Sequence, residues 1–266
     1  MFTGTDILKF TDFFDSEEVC KYYLFQIKWK EGFSCFSCGN NTAVRGRTLY
    51  HLRCKKCNYE ESVTANTFFH KLKIPLRKAF GLIYKITIPN GSSSSSDLAT
   101  EYKVNRKTAW SFAQKLRRAL VSDDDDHQPE SIDAFKVIDS LIICGGEKEH
   151  RGLQQVCVSI SEKESPKFEG RKHVTVKCRL PKVPSKINCE LLFGKFVKQN
   201  KDIRLWNFKT SFTGSHRRCS TKYLQRYVNE FYFKSSFRVR KDLIIHEVLT
   251  NLMVRKRMPV KGFVPK

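Results

Sequence analysis

Two C-x-x-C pairs, Cys35 with Cys38 and Cys54 with Cys57, stand fifteen residues apart and constrain this chain more than any other feature. Each pair makes a tight turn that aims two thiolates at one point, and two such turns close a tetrahedral Zn²⁺ site. Gly39 follows the first pair directly and suits the left-handed backbone that such a knuckle needs. Between the pairs, Ala43-Val44-Arg45 and Thr48-Leu49-Tyr50-His51-Leu52 read as two short extended runs with Gly46 at the turn. That is a hairpin pattern, and it predicts a zinc ribbon rather than a helical finger. Four unrelated thiols would have no need of so regular a spacing.

Charge narrows the partner. The 266 residues carry 49 Lys and Arg against 27 Asp and Glu, a formal excess of +22 that costs self-repulsion and marks a polyanionic partner. A hydrophobic content of 40% and an aromatic content of 12% supply a core and exclude a disordered chain. No apolar run is long enough to span a bilayer, and Met1–Phe10 does not read as a signal peptide. The expectation is a DNA-bound protein of the cytoplasm, or of the nucleus if the source is eukaryotic. Ten cysteines without a secretory signal fit a reducing compartment. Outside the two pairs, Cys20, Cys144, Cys157, Cys178, Cys189 and Cys219 lie singly and read as buried free thiols.

Along the chain, Asp15 or Ser16 can cap a helix whose first turn holds Glu17 and Glu18 and which stops near Gly32. With the ribbon this gives a first unit, residues 1–61. A second unit, 62–121, opens with an extended link and continues with a helix whose first residue is Pro75. Pro89-Asn90-Gly91 and the five serines that follow read as a flexible surface loop. Next come a short helix from Asp97, a turn at Lys103-Val104-Asn105, and a basic helix capped by Asn105. Together they form a helix-turn-helix whose second helix would enter a major groove. The DNA-facing candidates are Arg106, Lys107, Thr108, Ser111, Lys115, Arg117 and Arg118. The alternative is a helical hairpin with a solvated basic face.

The run Asp123–Asp126 reads as an acidic linker over residues 122–134, because mutual repulsion keeps four adjacent carboxylates extended. Beyond it, strands are expected at Phe135–Ile143, Gln154–Ile160 and His173–Leu180. A short helix is expected at Glu190–Phe196, and helices again from Thr221 and over Leu243–Met253. Trp206–Phe212 is ambiguous. The fold class is therefore α+β and multidomain.

Many of these residues resemble the insertion-sequence transposases that join a zinc ribbon to a DDE-type nuclease domain, prokaryotic relatives of the eukaryotic Merlin elements. The resemblance runs through Phe14, Glu18, Cys20, Tyr23, Leu24 and Ile27-Lys28-Trp29, then Gly32, the four paired cysteines and Gly39. It continues at Thr67, Phe69, His70, Ile74–Phe80 and Lys107-Thr108-Ala109-Trp110. It returns at Asn207-Phe208-Lys209, His216–Ser220, Tyr223–Tyr227 and Glu230-Phe231.

What the resemblance implies is DNA cleavage and strand transfer by an RNase H-like domain over residues 135–266. That chemistry uses two Mg²⁺ ions held by acids from separate elements. Asp139 matches the first acid, which in the family lies in a strand followed by Gly-Gly, here Gly145-Gly146. Asp202 falls near the third metal-ligand position. Nothing between Cys157 and Asn200 matches the second acid, although Glu190 is a candidate for the missing carboxylate. The expectation is a DNA-binding transposase-like protein with structural Zn²⁺ and a degenerate nuclease domain. Its partner would be double-stranded DNA at element terminal repeats, held by a possible homo-oligomer. The alternatives are an active Mg²⁺-dependent transposase and a zinc-ribbon transcription or RNA-binding factor.

Overall fold

The computed structural model of the chain describes residues 1–88, 93–120, 139–144, 153–164, 172–179, 207–208, 210–212, 215, 221–237 and 241–254. They fall into two compact units. The first comprises Met1–Gly91, Leu98–Ala113 and Arg240–Lys266, and the second comprises Ser92–Asp97 and Gln114–Val239. This division differs from the expected boundaries at residues 61, 121 and 134, and the reason lies in the helices.

In the first unit, α1 spans Ile7–Phe13 and α2 spans Glu17–Lys28. Ser16 rather than Asp15 caps α2, its Oγ accepting the Val19 N–H at 3.4 Å. The chain then leaves through Gly32 at φ +96°. Helix α3 spans Leu76–Thr87, with Pro75 one position earlier than expected, at the N-cap. Proline has no side chain that can cap, so Glu17 of α2 does this work. Its two carboxylate oxygens accept the N–H groups of Leu76 at 3.0 Å and Arg77 at 2.8 Å.

Rings of Phe10, Phe14, Tyr23 and Phe80 pack against one another between these helices. Phe14, Leu24, Phe80, Leu82 and Ile83 are essentially inaccessible to solvent. The ribbon is a three-stranded antiparallel sheet in the order β1 (Ala43–Arg45), β2 (His51–Cys54), β3 (Glu60–Ser62).

Among the described residues, the serine run departs from the expected loop only at its last two positions. Ser95 and Ser96 lie in helix α4, Ser95–Glu101. Ser94 and Asp97 form a capping box, Asp97 N–H to Ser94 Oγ at 3.3 Å and Ser94 N–H to Asp97 Oδ2 at 3.0 Å. After a turn with Lys103 at φ +50°, helix α5 covers Arg106–Ala119. Asn105 Oδ1 accepts the Lys107 N–H at 2.8 Å, the cap expected from the sequence. Helix α5 starts in the first unit and ends in the second.

A late helix completes the first unit. After a 3₁₀ turn at Lys241–Leu243, Ile244–Val254 forms a helix that packs on α2 and α3 and buries Ile244, Ile245, Val248, Leu249 and Leu252. Tyr23 Oη lies 2.7 Å from His246 Nδ1, and the Phe68 N–H donates to the Leu252 carbonyl at 3.1 Å. A segment expected in the 135–266 domain thus supplies one wall of the N-terminal core.

The second unit holds β4 (Asp139–Cys144), β5 (Leu153–Glu164) and β6 (Lys172–Arg179), an antiparallel sheet in that order. The register sets Asp139 opposite Val158 and Cys157 opposite Arg179. The middle strand runs beyond the expected Gln154–Ile160 at both ends. Helix α6, Thr221–Ser236, packs on β6 and buries Leu224, Val228 and Tyr232 at helical spacing. The ambiguous stretch is helical at 207–208 and 210–212. Phe208 meets the rings of Phe212 and Phe231. The late helix Ile244–Val254 is α7 in chain order. Among the described residues, no helix is long and apolar enough to cross a membrane. The acidic run at 123–126, the first part of the expected strand at 135–138 and the expected helix at 190–196 lie outside the described residues.

Candidate metal centre and nucleic-acid interface

The ribbon builds its site from two matching turns. In the first, the Gly39 N–H donates to the Cys35 carbonyl at 2.9 Å and Gly39 sits at φ +69°. In the second, the Asn58 N–H donates to the Cys54 carbonyl at 3.1 Å and Asn58 sits at φ +59°. Asparagine is the non-glycine residue that best tolerates this backbone, so Asn58 does for the second knuckle what Gly39 does for the first. The pairing of Ala43 with Cys54 puts the second pair at the end of β2, level with the start of β1.

The four Sγ atoms all lie within 4.8 Å of one another, with Cys35 to Cys57 and Cys38 to Cys54 both at 3.6 Å. A tetrahedral zinc with bonds of about 2.3 Å sets its sulfurs about 3.8 Å apart, so the residues present fit the ion. Burial would raise the Cys54 thiol. The backbone N–H groups of Cys57 and Lys56, the Asn40 amide and the Cys38 thiol outweigh it and lower its pKa, so Cys54 is the member of the cluster that gives up its proton most readily. These four cysteines are the one cluster of three or more potential ligands among the described residues.

A buried ion pair ties the ribbon to α2. Lys28 Nζ donates to Glu61 Oε1 at 2.7 Å and to the carbonyls of Ser62 at 2.9 Å and Ala65 at 2.7 Å. All three ammonium protons therefore have partners. Desolvation lowers the Lys28 pKa, and the Glu61 carboxylate opposes that shift. No pattern in the sequence pairs these two residues, which stand 33 positions apart.

On α5, Arg106, Lys107 and Arg118 are exposed, and Thr108, Ser111 and Lys115 are half-buried. Arg117 corrects the sequence reading. It is 2% exposed, its Nε lies 2.5 Å from Glu230 Oε2, and its guanidinium stacks 4.2 Å from the Tyr227 ring centre. Lys234 Nζ reaches Glu230 Oε1, also at 2.5 Å. Burial would raise the Glu230 carboxyl, but Lys234 and Arg117 lower it to about 2. Arg117 is therefore committed to the core and is not a DNA-facing residue. Of the acids expected at a nuclease centre, Asp139 is the first residue of β4, and both Asp202 and Glu190 lie outside the described residues.

Residues 15–60 match a protein family described as the transposase zinc-ribbon domain. The ribbon is transposase-like. The matched span includes α2 as well as β1 and β2 of the ribbon. The chain is also 31% identical over 110 residues to an uncharacterized protein in transposable element ISH50 of Halobacterium salinarum. That alignment covers 40% of this chain, and the chain spans 37% of the relative's length. No solved structure matches the chain.

The transposase-like ribbon has a strongly basic surface. Between residues 33 and 60 it carries Arg45, Arg47, Arg53, Lys55 and Lys56, all exposed, against one acid, Glu60. Glu60 accepts the Arg47 N–H at 2.6 Å and lies 3.5 Å from the Arg47 guanidinium. Apolar side chains are exposed beside these cations: Phe36 at 63%, Leu49 at 56% and Val44 at 40%.

Proposed function

We propose that this is a DNA-binding protein of the insertion-sequence transposase type, with an impaired nuclease domain. The observation that carries the reading is the four-cysteine centre inside a ribbon that matches the transposase zinc-ribbon family and presents five exposed cations against one acid. In this reading α4, the turn and α5 act as a helix-turn-helix. Arg106, Lys107 and Thr108 face the groove at the start of α5, and Ser111, Lys115 and Arg118 lie further along it. The target is duplex DNA at element terminal repeats, held by an oligomer on paired ends, and the protein acts on DNA in the cytoplasm or nucleus. The zinc is structural. Impairment rests on the sequence, where nothing between Cys157 and Asn200 matches the second metal-binding acid of the resembled family.

The test is binding of the full chain to duplex DNA across a salt series. Affinity should fall steeply, with log K declining by about 0.9 for each phosphate contact per unit of log salt. No binding even at low salt refutes the proposal.

One observation favours a second reading, an active Mg²⁺-dependent transposase of RNase H-like fold. Asp139 lies in a strand followed by Gly145-Gly146, as the first acid of the resembled family does. Cleavage of terminal-repeat DNA with Mg²⁺ or Mn²⁺, abolished by Asp139→Ala, would establish this reading over the first.

A further inference from the structure

The end of the ribbon that holds the metal carries an aromatic ring that the fold does not use. Phe36 is the first intervening residue of the Cys35–Cys38 knuckle and is 63% exposed. The intervening residues of the other knuckle are Lys55 and Lys56, both exposed. The knuckles face each other across the sulfur cluster, with Cys35 Sγ 3.6 Å from Cys57 Sγ. Phe36, Lys55 and Lys56 therefore share one end of the ribbon.

That end is rigid. The Cys35 N–H donates to the Asn40 carbonyl at 3.0 Å, and the Lys55 N–H donates to the Thr42 carbonyl at 3.1 Å. The two knuckles are thus closed by backbone bonds as well as by their thiolates. A ring exposed on a turn closed in this way, with two lysines on the facing knuckle, loses little conformational freedom when it meets a ligand.

We infer that this end of the ribbon is a base-stacking contact for DNA, with Phe36 lying against an unstacked base and Lys55 and Lys56 holding the flanking phosphates. The inference rests on the DNA-binding reading above and adds a chemical preference to it. The chemistry is that of proteins that hold exposed bases. An aromatic face accepts any base, and the neighbouring cations follow the backbone. Charge complementarity selects nucleic acid over an apolar protein partner, because the exposed apolar groups of the ribbon are interspersed with five cations and Glu60 is already engaged by Arg47. The contact differs from the one proposed for α5, which reads a closed groove.

The test compares full-length wild-type protein, Phe36→Ala, Lys55→Ala/Lys56→Ala and Arg106→Ala/Lys107→Ala. The probes are a mixed-sequence duplex and the same duplex with a central unpaired tract labelled with 2-aminopurine. Bound zinc is measured for each variant to show that the ribbon is folded. Wild type should prefer the probe with the unpaired tract, and Phe36→Ala should weaken that binding by about five- to a hundredfold. A 2-aminopurine fluorescence change on binding should vanish with it. The double lysine variant should lower the salt slope by about two while keeping the preference for unpaired bases.

If Phe36→Ala keeps both affinity and preference while Arg106→Ala/Lys107→Ala weakens binding, the stacking contact is refuted and the DNA-binding reading stands. If wild type binds neither probe, both are refuted. A Phe36→Trp variant guards the result, since its indole emission, after subtraction of the wild-type signal from Trp29, Trp110 and Trp206, should be quenched by the unpaired probe and unchanged by the closed duplex. Equal quenching by the two probes refutes the inference.

Discussion

The Lys28–Glu61 pair makes a demanding prediction about how the ribbon is attached. The side chains are 11% and 4% exposed, and the lysine spends all three protons on Glu61, Ser62 and Ala65. Lys28→Met keeps the length and apolar stem of the side chain and removes the charge. Glu61 is then left buried with the Asn66 amide at 3.4 Å and no countercharge. Stranding a buried charge in this way costs about 3–5 kcal/mol. For a domain of this size, that lowers the melting temperature by on the order of 10 °C. Lys28→Met/Glu61→Leu removes both charges and should recover most of the loss, because apolar replacements of a buried pair are often neutral or stabilising. Calorimetry and denaturant titration of the single and double variants read this coupling directly. A loss under about 1 kcal/mol for Lys28→Met, or a double variant as unstable as the single one, would refute the claim that the pair is closed to water and mutually dependent.

Three further outcomes are expected. Removing the metal with a chelator, or changing Cys54 to Ser, should unfold the ribbon, because structural zinc contributes about 10–16 kcal/mol in small zinc folds; amide exchange at β1–β3 reads the loss. Glu230 has a folded-state pKa of about 2, below the ordinary value of about 4.3 for an unfolded chain. Its contribution is therefore complete above that ordinary value and disappears as pH falls towards 2, and acid titration of Glu230→Gln should lack this component. Finally, Arg117→Ala should destabilise the chain by about 1.5–3 kcal/mol, through the lost charge-assisted hydrogen bond and the lost stacking on Tyr227, with Lys234 still paired to Glu230. Arg118→Ala should leave the melting temperature nearly unchanged and weaken DNA binding, as followed by calorimetry and by fluorescence anisotropy.

What was legible in the sequence was local. The zinc ligands could be read because four thiolates must converge, and two tight turns can do this without help from distant residues. The α4–turn–α5 region could be read for the same reason, since Asn105 caps α5 from one position away. Arg117 and Arg118 show the limit. They are adjacent arginines on one helix, and which of them is buried depends on Glu230, 113 residues further along. The serine run misled because its composition suggests a loop, whereas the Ser94–Asp97 box nucleates a helix inside it. The apolar pattern of α7 was visible in the sequence, but not its partners. A helical stripe announces that it needs a surface and does not say which one.

The position of α7 has a consequence for how the protein is made. The core around α2 and α3 is closed by Ile244–Val254, so the unit that carries the ribbon cannot finish folding until the ribosome has passed that helix. From the end of that unit's middle segment at Ala113, this takes on the order of ten seconds at ordinary synthesis rates. During that time the nascent chain shows the apolar faces of α2 and α3 to chaperones and proteases. A mutation that stops translation or shifts the reading frame within the second unit would therefore remove the ribbon's support as well. A copy of the gene that keeps the ribbon's core closed must keep its reading frame through Val254.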